Sequence, residues 1–299
     1  MKYAIIGSGA IGSYYGGKLC RAGQDVHFLL HSDFEHVCKH GLQVNSCNGS
    51  FHLDNIQAYN DVNNMPKCDV IIVALKTTRN GLLKEMLPPL LHNKSIVLLI
   101  QNGIGVEDDV QAVFPNAQLA AGLAFICSAK TKPGIVDHQC YGSINIGNFS
   151  CKDINQFNQM LTDFQEAGVE AQEVEYNEAR WKKAVWNMPF NGMTVALNTQ
   201  TNLLLKNPST MQLIREQMLE VIHAANYMGI NIPESFADKM IENTLNMVPY
   251  SPSMKLDYEF NRPMEIEYLY TRPIEIARKA GFRMPKLEML EAELRFLEV

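Results

Sequence analysis

The sequence has 299 residues and lacks any apolar run close to the roughly 18 residues of a membrane-spanning helix. Basic charge is also scarce, because 26 Lys and Arg face 32 Asp and Glu and leave a net charge of −6. An acidic chain without a basic block is a poor candidate for binding nucleic acid. The apolar start at Tyr3–Ile6 leads directly into glycines, so it is interpreted as a strand and not as a secretory signal. We therefore expect neither a membrane nor a nucleic-acid partner.

The seven cysteines form no CxxC pair, and their odd number in a chain of this length does not indicate a disulfide framework. Free thiols in a reducing compartment are expected, which predicts a cytoplasmic protein. The histidines at 27, 31, 36 and 40, together with Cys38, match no known metal-ligand spacing. The sequence predicts no metal site.

The first half of the chain alternates short apolar runs with helical patterns. Consecutive Val, Ile and Leu residues indicate strands buried on both faces, which is typical of a parallel sheet covered by helices. Residues 119–146 predict strands with a turn at Pro133-Gly134, and residues 154–174 predict one more helix and strand. The predicted early strands and crossover helices are Tyr3–Ile6, Ala10–Ala22, Val26–Leu30, Val70–Leu75, Arg79–Leu87 and Ile96–Ile100.

A GxGxxG pattern joins the first strand to the first helix and consists of Gly7, Ser8, Gly9, Ala10, Ile11 and Gly12. The first glycine permits a tight turn, the second allows the backbone to approach a pyrophosphate, and the third lets the helix pack on the strand. The helix N-terminus offers N–H groups and a positive dipole to the phosphates. In this context the pattern predicts a dinucleotide cofactor.

The end of the second strand selects between NAD and NADP. An acidic residue there binds the ribose hydroxyls, whereas a basic residue accepts a 2′-phosphate. His31 occupies this position, Ser32 follows, and Asp33 is interpreted as the N-cap of a helix around Phe34–His40. The pattern favours NADP over NAD.

After Tyr176 the pattern becomes entirely helical, with the second of these helices ending at Gly229. The fold class is therefore α/β plus all-α, in which a Rossmann-type doubly wound parallel sheet domain is followed by a helical C-terminal domain. The predicted domains are 1–175, which binds NADP, and 176–299, which carries the substrate and the catalytic groups. A cleft between them is expected.

Polar residues follow two of the predicted strands at the edge where such sheets bind ligands. Lys76 follows the strand that ends at Leu75, and Asn102-Gly103 follows the strand that ends at Ile100. Each alone indicates only a loop lysine or a tight turn. Together with the glycine pattern they indicate a site.

The helical half contains two further polar groups of residues. Lys183, Asn187 and Asn191 are spaced at i, i+4 and i+8, so one helix face carries all three among large apolar neighbours. Such residues are poor core choices unless they meet polar partners. The second group includes Ser253 in a serine-containing turn and Glu265 in an apolar run.

The chain resembles the ketopantoate reductase (2-dehydropantoate 2-reductase) family across essentially its whole length. The matching pieces, in order, are Gly7–Gly12, Ala74–Lys76, Gln101–Gly105, Lys183 with Asn187 and Asn191, Ser253–Asp257 and Glu265–Glu267. The resemblance implies NADPH-dependent reduction of 2-dehydropantoate to pantoate on the route to pantothenate. It also implies a small 2-oxo acid as the substrate, and the helical half is compatible with a homodimer.

The resemblance also implies roles for individual residues. Lys183 matches the proton donor and Glu265 the acidic residue beside it. Lys76 matches a lysine that contacts the cofactor, and Asn102 matches the asparagine between the nicotinamide and the substrate. The residues that match groups binding the substrate's hydroxyl and carboxylate are Asn187, Asn191 and Ser253.

Two features depart from the family pattern. Family members often have Arg where this chain has His31, and the stretch Met188–Gly192 lacks the usual proline after its second asparagine. Two alternatives therefore remain open: a reductase of another small 2-oxo acid, and a non-catalytic dinucleotide-binding sensor.

Overall fold

The computed structural model describes residues 1–247 and 251–298. The chain divides into two compact units. The first comprises Met1–Gln101 with Glu107–Tyr176, and the second comprises Asn102–Val106 with Asn177–Val299. Residues 102–106 thus join the helical unit, although a strand of the first unit precedes them directly.

The first unit is built on a mixed ten-stranded sheet. The strands are β1 (Lys2–Ile6), β2 (Asp25–Leu29), β3 (Leu42–Ser46), β4 (Phe51–Leu53), β5 (Gln57–Tyr59), β6 (Val70–Val73), β7 (Ile96–Leu99), β8 (Gln118–Lys132), β9 (Ile135–Asn148) and β10 (Ala171–Val174). Their order is β4-β3-β9-β8-β7-β6-β1-β2-β5, with β10 beside β9. The pairs from β5 through β8 are all parallel, whereas β8 with β9 and β3 with β4 are antiparallel.

The sequence of the central strands explains their position. Every residue of β6 and of β7 is buried, so both faces of the sheet are covered there, as expected for runs of Val, Ile and Leu. The helices of this unit are α1 (Ala10–Arg21), α2 (Phe34–His40), α3 (Leu83–Met86), α4 (Val106–Val113) and α5 (Ile154–Glu166). The prediction of a Rossmann-type sheet is confirmed.

One detail of the first unit differs from the expectations. The crossover helix predicted over Arg79–Leu87 is wrong in its extent, because only Leu83–Met86 is α-helical and 3₁₀ turns flank it at Thr77–Leu82 and Pro88–Leu90. Gly81 and the two prolines explain the interruption, since both residue types disfavour a continued α-helix. The turn expected at Pro133-Gly134 is present, and it joins two strands that are far longer than the others.

The second unit is helical. It contains α6 (Tyr176–Ala196), α7 (Thr201–Lys206), α8 (Pro208–Tyr227), α9 (Ser235–Leu245), α10 (Ser253–Glu259), a π-helical turn (Glu267–Thr271), α11 (Arg272–Ala280) and α12 (Pro285–Leu297). Its own hydrophobic core includes Val185, Phe190, Val221 and Leu287. Gly229 follows the end of α8 with φ = +85°, a conformation that glycine adopts without strain. The helical C-terminal region is thus confirmed.

The helices in the described ranges 1–247 and 251–298 include none that is both long and apolar enough to cross a membrane.

Candidate active site

Helix α6 carries the lysine and both asparagines that the sequence singled out. The helix is continuous from Tyr176 to Ala196 and includes Pro189 in its interior. Because it is continuous, residues spaced by three or four positions lie on one side. Lys183 is partly buried, while Asn187 and Asn191 are buried.

A small pocket lies beside Lys183 within the helical unit. Three segments line it: helix α6, the residues that follow β7, and the π-helical turn together with the start of α11. The lining residues are Gly103, Ile104, Arg180, Lys183, Ala184, Asn187, Tyr268, Leu269 and Pro273. The structure therefore brings together Lys183 and Asn187, as the helical spacing suggested, and adds Arg180 to them.

The environment of Lys183 favours a readily exchangeable proton. Burial removes water from the ammonium group and the neighbouring Arg180 guanidinium repels it, whereas Glu265 attracts it. The first two effects outweigh the third and lower the pKa of Lys183 to about 7. A lysine with such a pKa can give up a proton at neutral pH far more easily than an ordinary lysine.

The turn after β7 is held in place by the π-helical turn. Gly103 has φ = +109°, and a Cβ atom on it would lie 2.5 Å from both the Cβ and the carbonyl oxygen of Tyr268. The Ile104 N–H donates a hydrogen bond of 3.0 Å to that same carbonyl. Only glycine fits this close approach. Asn102, which immediately precedes it, is thus anchored to the helical unit that contains Lys183.

Glu265 stands just before the π-helical turn and is 3% exposed. Its carbonyl accepts a 3.2 Å hydrogen bond from the Leu269 N–H. The preceding turn is fixed by an Arg262–Asp257 ion pair of 3.1 Å and by a 2.8 Å bond from the Arg262 N–H to the Asp257 carbonyl. Single π turns interrupt regular helices mostly at functional sites, which suits a buried carboxylate that acts on Lys183.

Asn191 has a different environment from Asn187. Its side-chain amide donates to the Asn187 carbonyl at 2.9 Å, and its side-chain oxygen accepts the Met254 N–H at 3.2 Å. These bonds tie α6 to the start of α10, where Ser253 is the first residue. Asn191 therefore positions Ser253, while Asn187 is the asparagine that lines the pocket.

The glycine pattern in the first unit has the geometry expected of a phosphate-binding turn. Gly7 has φ = +93°, and a Cβ atom on Gly12 would lie 2.3 Å from the Gly7 carbonyl oxygen. Gly9, by contrast, has no atom within 4 Å of its Cβ position and is exposed. No side chain caps the N-terminus of α1, whose N-cap residue is Gly9. The backbone above Gly9 is thus open to a ligand, as a bound pyrophosphate requires.

The remaining residues of the GxGxxG pattern support the same turn. The Ser8 hydroxyl donates a 2.8 Å hydrogen bond to the Leu29 carbonyl, which ties the turn to the end of β2. Ala10 and Ile11 are partly buried in the first turn of α1. Lys76 is exposed and precedes the 3₁₀ turn that follows β6.

The prediction that Asp33 is the N-cap residue of α2 is confirmed. His31 and Ser32 are exposed, and Asp33 does occupy the N-cap position of α2, but its side chain caps nothing. The Asp33 carboxylate instead forms an ion pair with Lys130 and accepts the Gly134 N–H at 3.2 Å. The Asp33 side chain thus interacts with the tip of the β8–β9 hairpin and not with the backbone of α2, because an ammonium group and a backbone N–H there supply charge-assisted hydrogen bonds.

Two cationic side chains near the predicted site residues, Arg180 and Lys130, were not identified from the sequence. Arg180 is 2% exposed and lies three positions before Lys183, so the same helical spacing could have indicated it. Lys130 lies in the long hairpin strand β8, and no local pattern distinguishes it from other lysines.

Two family models match this chain, one in its N-terminal part and one in its C-terminal part. Residues 3–150 match the family model described as ketopantoate reductase PanE/ApbA, and residues 175–298 match the model of its C-terminal part. The chain is 45% identical over 303 residues to a protein of Nostoc sp. named 2-dehydropantoate 2-reductase, a match that covers 99% of this chain and 95% of the relative.

Solved structures show the same similarity. The structure of 2-dehydropantoate 2-reductase from Geobacter metallireducens superposes with a TM-score of 0.95 at 37% identity and covers 99% of both chains. D-Mandelate dehydrogenase, solved with NADH and anilino(oxo)acetate, has the same fold with a TM-score of 0.89 at 22% identity, covering 100% of this chain and 98% of that one. The chain belongs to the ketopantoate reductase PanE/ApbA family.

Proposed function

We propose that the protein is a 2-dehydropantoate 2-reductase, which reduces 2-dehydropantoate to pantoate with NADPH in pantothenate biosynthesis. The observation that carries the proposal is the pocket in which Lys183 and Asn187 lie together, with a buried Glu265 acting on Lys183. The 45% identity to the Nostoc protein of that name supports the same substrate. A cytoplasmic location accords with this biosynthetic role.

The residues of the first unit fit a dinucleotide. Gly7, Gly9 and Gly12 form the turn, and the open space at Gly9 admits a pyrophosphate against the N-terminus of α1. Lys76, at the carboxyl end of β6, is proposed to contact the same cofactor. When bound, a reduced nicotinamide supplies the hydride for the reduction of a ketone.

Lys183 is the proposed proton donor. Reduction of a ketone places negative charge on its oxygen, and an adjacent ammonium group both stabilises that charge and delivers the proton. Asn187 and Asn102 are proposed to hold the substrate beside this ammonium, and Ser253 to donate to its carboxylate. Asn191 supports Ser253 through its bond to the Met254 N–H.

The charges around the pocket suit a monocarboxylate. Arg180 and, when protonated, Lys183 place positive charge at the pocket, and positive charge attracts a carboxylate. A 2-oxo acid supplies such a carboxylate. Its binding also favours the protonated form of Lys183, since an adjacent anion raises the pKa of an ammonium group.

The defining experiment is oxidation of NADPH, and separately of NADH, with 2-dehydropantoate and with a panel of other small 2-oxo acids. We expect the highest kcat/KM with 2-dehydropantoate and NADPH. A higher value with another 2-oxo acid would support the second candidate, which the D-mandelate dehydrogenase fold and the Met188–Gly192 stretch keep open. Binding of NADPH with no turnover of any 2-oxo acid would instead indicate a sensor.

Glu265 is further proposed to accept a hydrogen bond from a hydroxyl group of the substrate. Replacing Glu265 with Gln should therefore raise the KM for the 2-oxo acid about fivefold to tenfold, because a hydrogen bond to a charged group is replaced by a weaker neutral one. The KM for NADPH should stay unchanged. Steady-state kinetics at several pH values from about 5 to 7 separate this effect from a change in the protonation of Lys183, whose pKa the substitution should lower. An unchanged KM for the acid would remove Glu265 from substrate binding.

The reduction should lose activity as the pH rises. A proton donor must be protonated, so kcat/KM is full below the pKa of Lys183 and falls about tenfold per pH unit above it. With a pKa of about 7 in the free enzyme, the decline should begin near neutrality. Because the bound acid raises this pKa, the corresponding decline in kcat should begin at higher pH.

Two variants test the origin of this pH profile. Arg180→Gln removes a repelling charge and should move the decline in kcat/KM to higher pH, whereas Glu265→Gln removes an attracting charge and should move it to lower pH. Shifts of both variants in the same direction would contradict the assignment of the profile to Lys183.

A further inference from the structure

Lys130 connects the two parts of the first unit that face a dinucleotide. Its ammonium group donates a 2.9 Å hydrogen bond to the carbonyl oxygen of Ser8, inside the glycine turn, and forms an ion pair with the Asp33 carboxylate. Ser8 lies at the pyrophosphate end of such a cofactor, and the residues after β2 lie at its adenosine ribose. Lys130 therefore lies along the ADP-ribose half of the site.

The ion pair changes what Asp33 can do. An acidic residue after β2 ordinarily binds the ribose hydroxyls and repels a 2′-phosphate. Asp33 is 4% exposed, and both Lys130 and the Gly134 N–H engage its carboxylate. Its charge is neutralised, and it is turned toward the hairpin tip.

Lys130 retains capacity to bind a ligand. An ammonium group has three N–H donors, and two acceptors, Ser8 and Asp33, are bound to it within the described part of the chain. The Lys130 side chain is 24% exposed, so solvent and ligands can reach it. His31 and Ser32 are exposed close by in sequence, and a neutral histidine alone is a weak partner for a phosphate dianion.

We propose that Lys130 determines coenzyme specificity: it neutralises Asp33 and donates its remaining N–H to the 2′-phosphate of NADPH. The inference rests on the proposed NADPH dependence, but it concerns a residue of the β8–β9 hairpin that lies outside both the glycine turn and the segment after β2. In this chain the cation for the 2′-phosphate thus comes from Lys130, since position 31 is a histidine.

The test is direct binding of NADPH and of NADH, each measured by nicotinamide fluorescence in the absence of any 2-oxo acid. For Lys130→Gln we expect the Kd of NADPH to rise about tenfold or more, because a charged hydrogen bond is lost and the Asp33 charge is exposed to the phosphate. The Kd of NADH should change less than threefold, since NADH lacks the phosphate. Lys132→Gln, at an exposed position of the same strand, is the matched control and should change neither value.

The double variant Asp33→Asn with Lys130→Gln separates the two roles of Lys130, which are to neutralise the Asp33 carboxylate and to contact the 2′-phosphate directly. It should recover part of the NADPH affinity lost in Lys130→Gln, because the repelling carboxylate is gone. Thermal denaturation of each variant shows whether it is folded.

If Lys130→Gln raised the Kd of NADPH and the Kd of NADH by the same factor, the inference would be overturned. Lys130 would then serve only to hold the hairpin against the start of α2. A wild-type protein that binds both coenzymes equally would overturn it too. These outcomes are distinct from failure of the proposed function: a wild-type protein that turns over no 2-oxo acid while Lys130→Gln still shifts the NADPH/NADH ratio would refute the reductase and support Lys130.

Discussion

Replacement of Lys183 by Met should lower kcat for the reduction by about 10²–10⁴, the range that positioned acid catalysis contributes. Methionine keeps an unbranched apolar chain of similar length in the pocket and removes only the ammonium group. The Kd of NADPH, measured without substrate, should remain close to that of the wild type, because the proposed pyrophosphate contacts are made by the glycine turn and the N-terminus of α1, not by Lys183. Single-turnover kinetics with excess NADPH would measure the chemical step directly.

Lys182 provides the control for this experiment. It is the neighbouring lysine of α6, more than one third of its side chain is exposed, and it pairs with Glu178 one helical turn earlier. Lys182→Met should leave kcat unchanged, since an exposed pair of this kind is worth at most about 1 kcal/mol. If Lys183→Met retained full kcat, the proposed proton donor would be incorrect whatever the effect on KM.

Replacement of Gly9 by Ala should weaken NADPH binding by roughly 10- to 100-fold, with little effect on folding. The protein itself leaves space for the new methyl group, because no atom lies within 4 Å of the Cβ position. A bound pyrophosphate would occupy that space, and overpacking by one methyl group costs about 1–3 kcal/mol. Each 1.4 kcal/mol corresponds to a tenfold change in Kd.

Gly81→Ala is the matched substitution. Gly81 is also exposed and also has no atom within 4 Å of its Cβ position, but it lies in the 3₁₀ turn after β6. Both variants should denature at temperatures close to that of the wild type, and only Gly9→Ala should lose NADPH affinity. Equal affinity in the two variants would show that the coenzyme does not approach the backbone at Gly9.

Much of the fold could be predicted from local patterns. The fully apolar runs of β6 and β7 indicate strands covered on both faces, and the period of α6 indicates which residues share a face. The glycine turn could be recognised because each glycine has its own steric reason. The segment Arg79–Leu87 could be predicted only in part, because the competition between 3₁₀ and α turns there depends on packing as well as on propensity.

The residues of the candidate site could be predicted from the sequence, but their burial, their hydrogen-bond partners and the charges around them could not. The i, i+4, i+8 spacing placed Lys183, Asn187 and Asn191 on one side of α6. It could not show that the side-chain oxygen of Asn191 accepts a hydrogen bond from the N–H of Met254, which lies 63 positions away in the chain. Nor could it show that burial and Arg180 lower the pKa of Lys183 to about 7.

Local patterns in the chain were thus sufficient for the class of fold, the glycine turn and the shared face of Lys183, Asn187 and Asn191, because each depends on neighbours within a few residues. Long-range contacts decided the rest. The partner of Asp33 at Gly134 is 101 positions away, and the turn at Gly103 is anchored by Tyr268 in the helical unit. Electrostatics at the site depends on which charges the fold brings together and how much water it removes, and neither quantity is encoded in the spacing of residues along the chain.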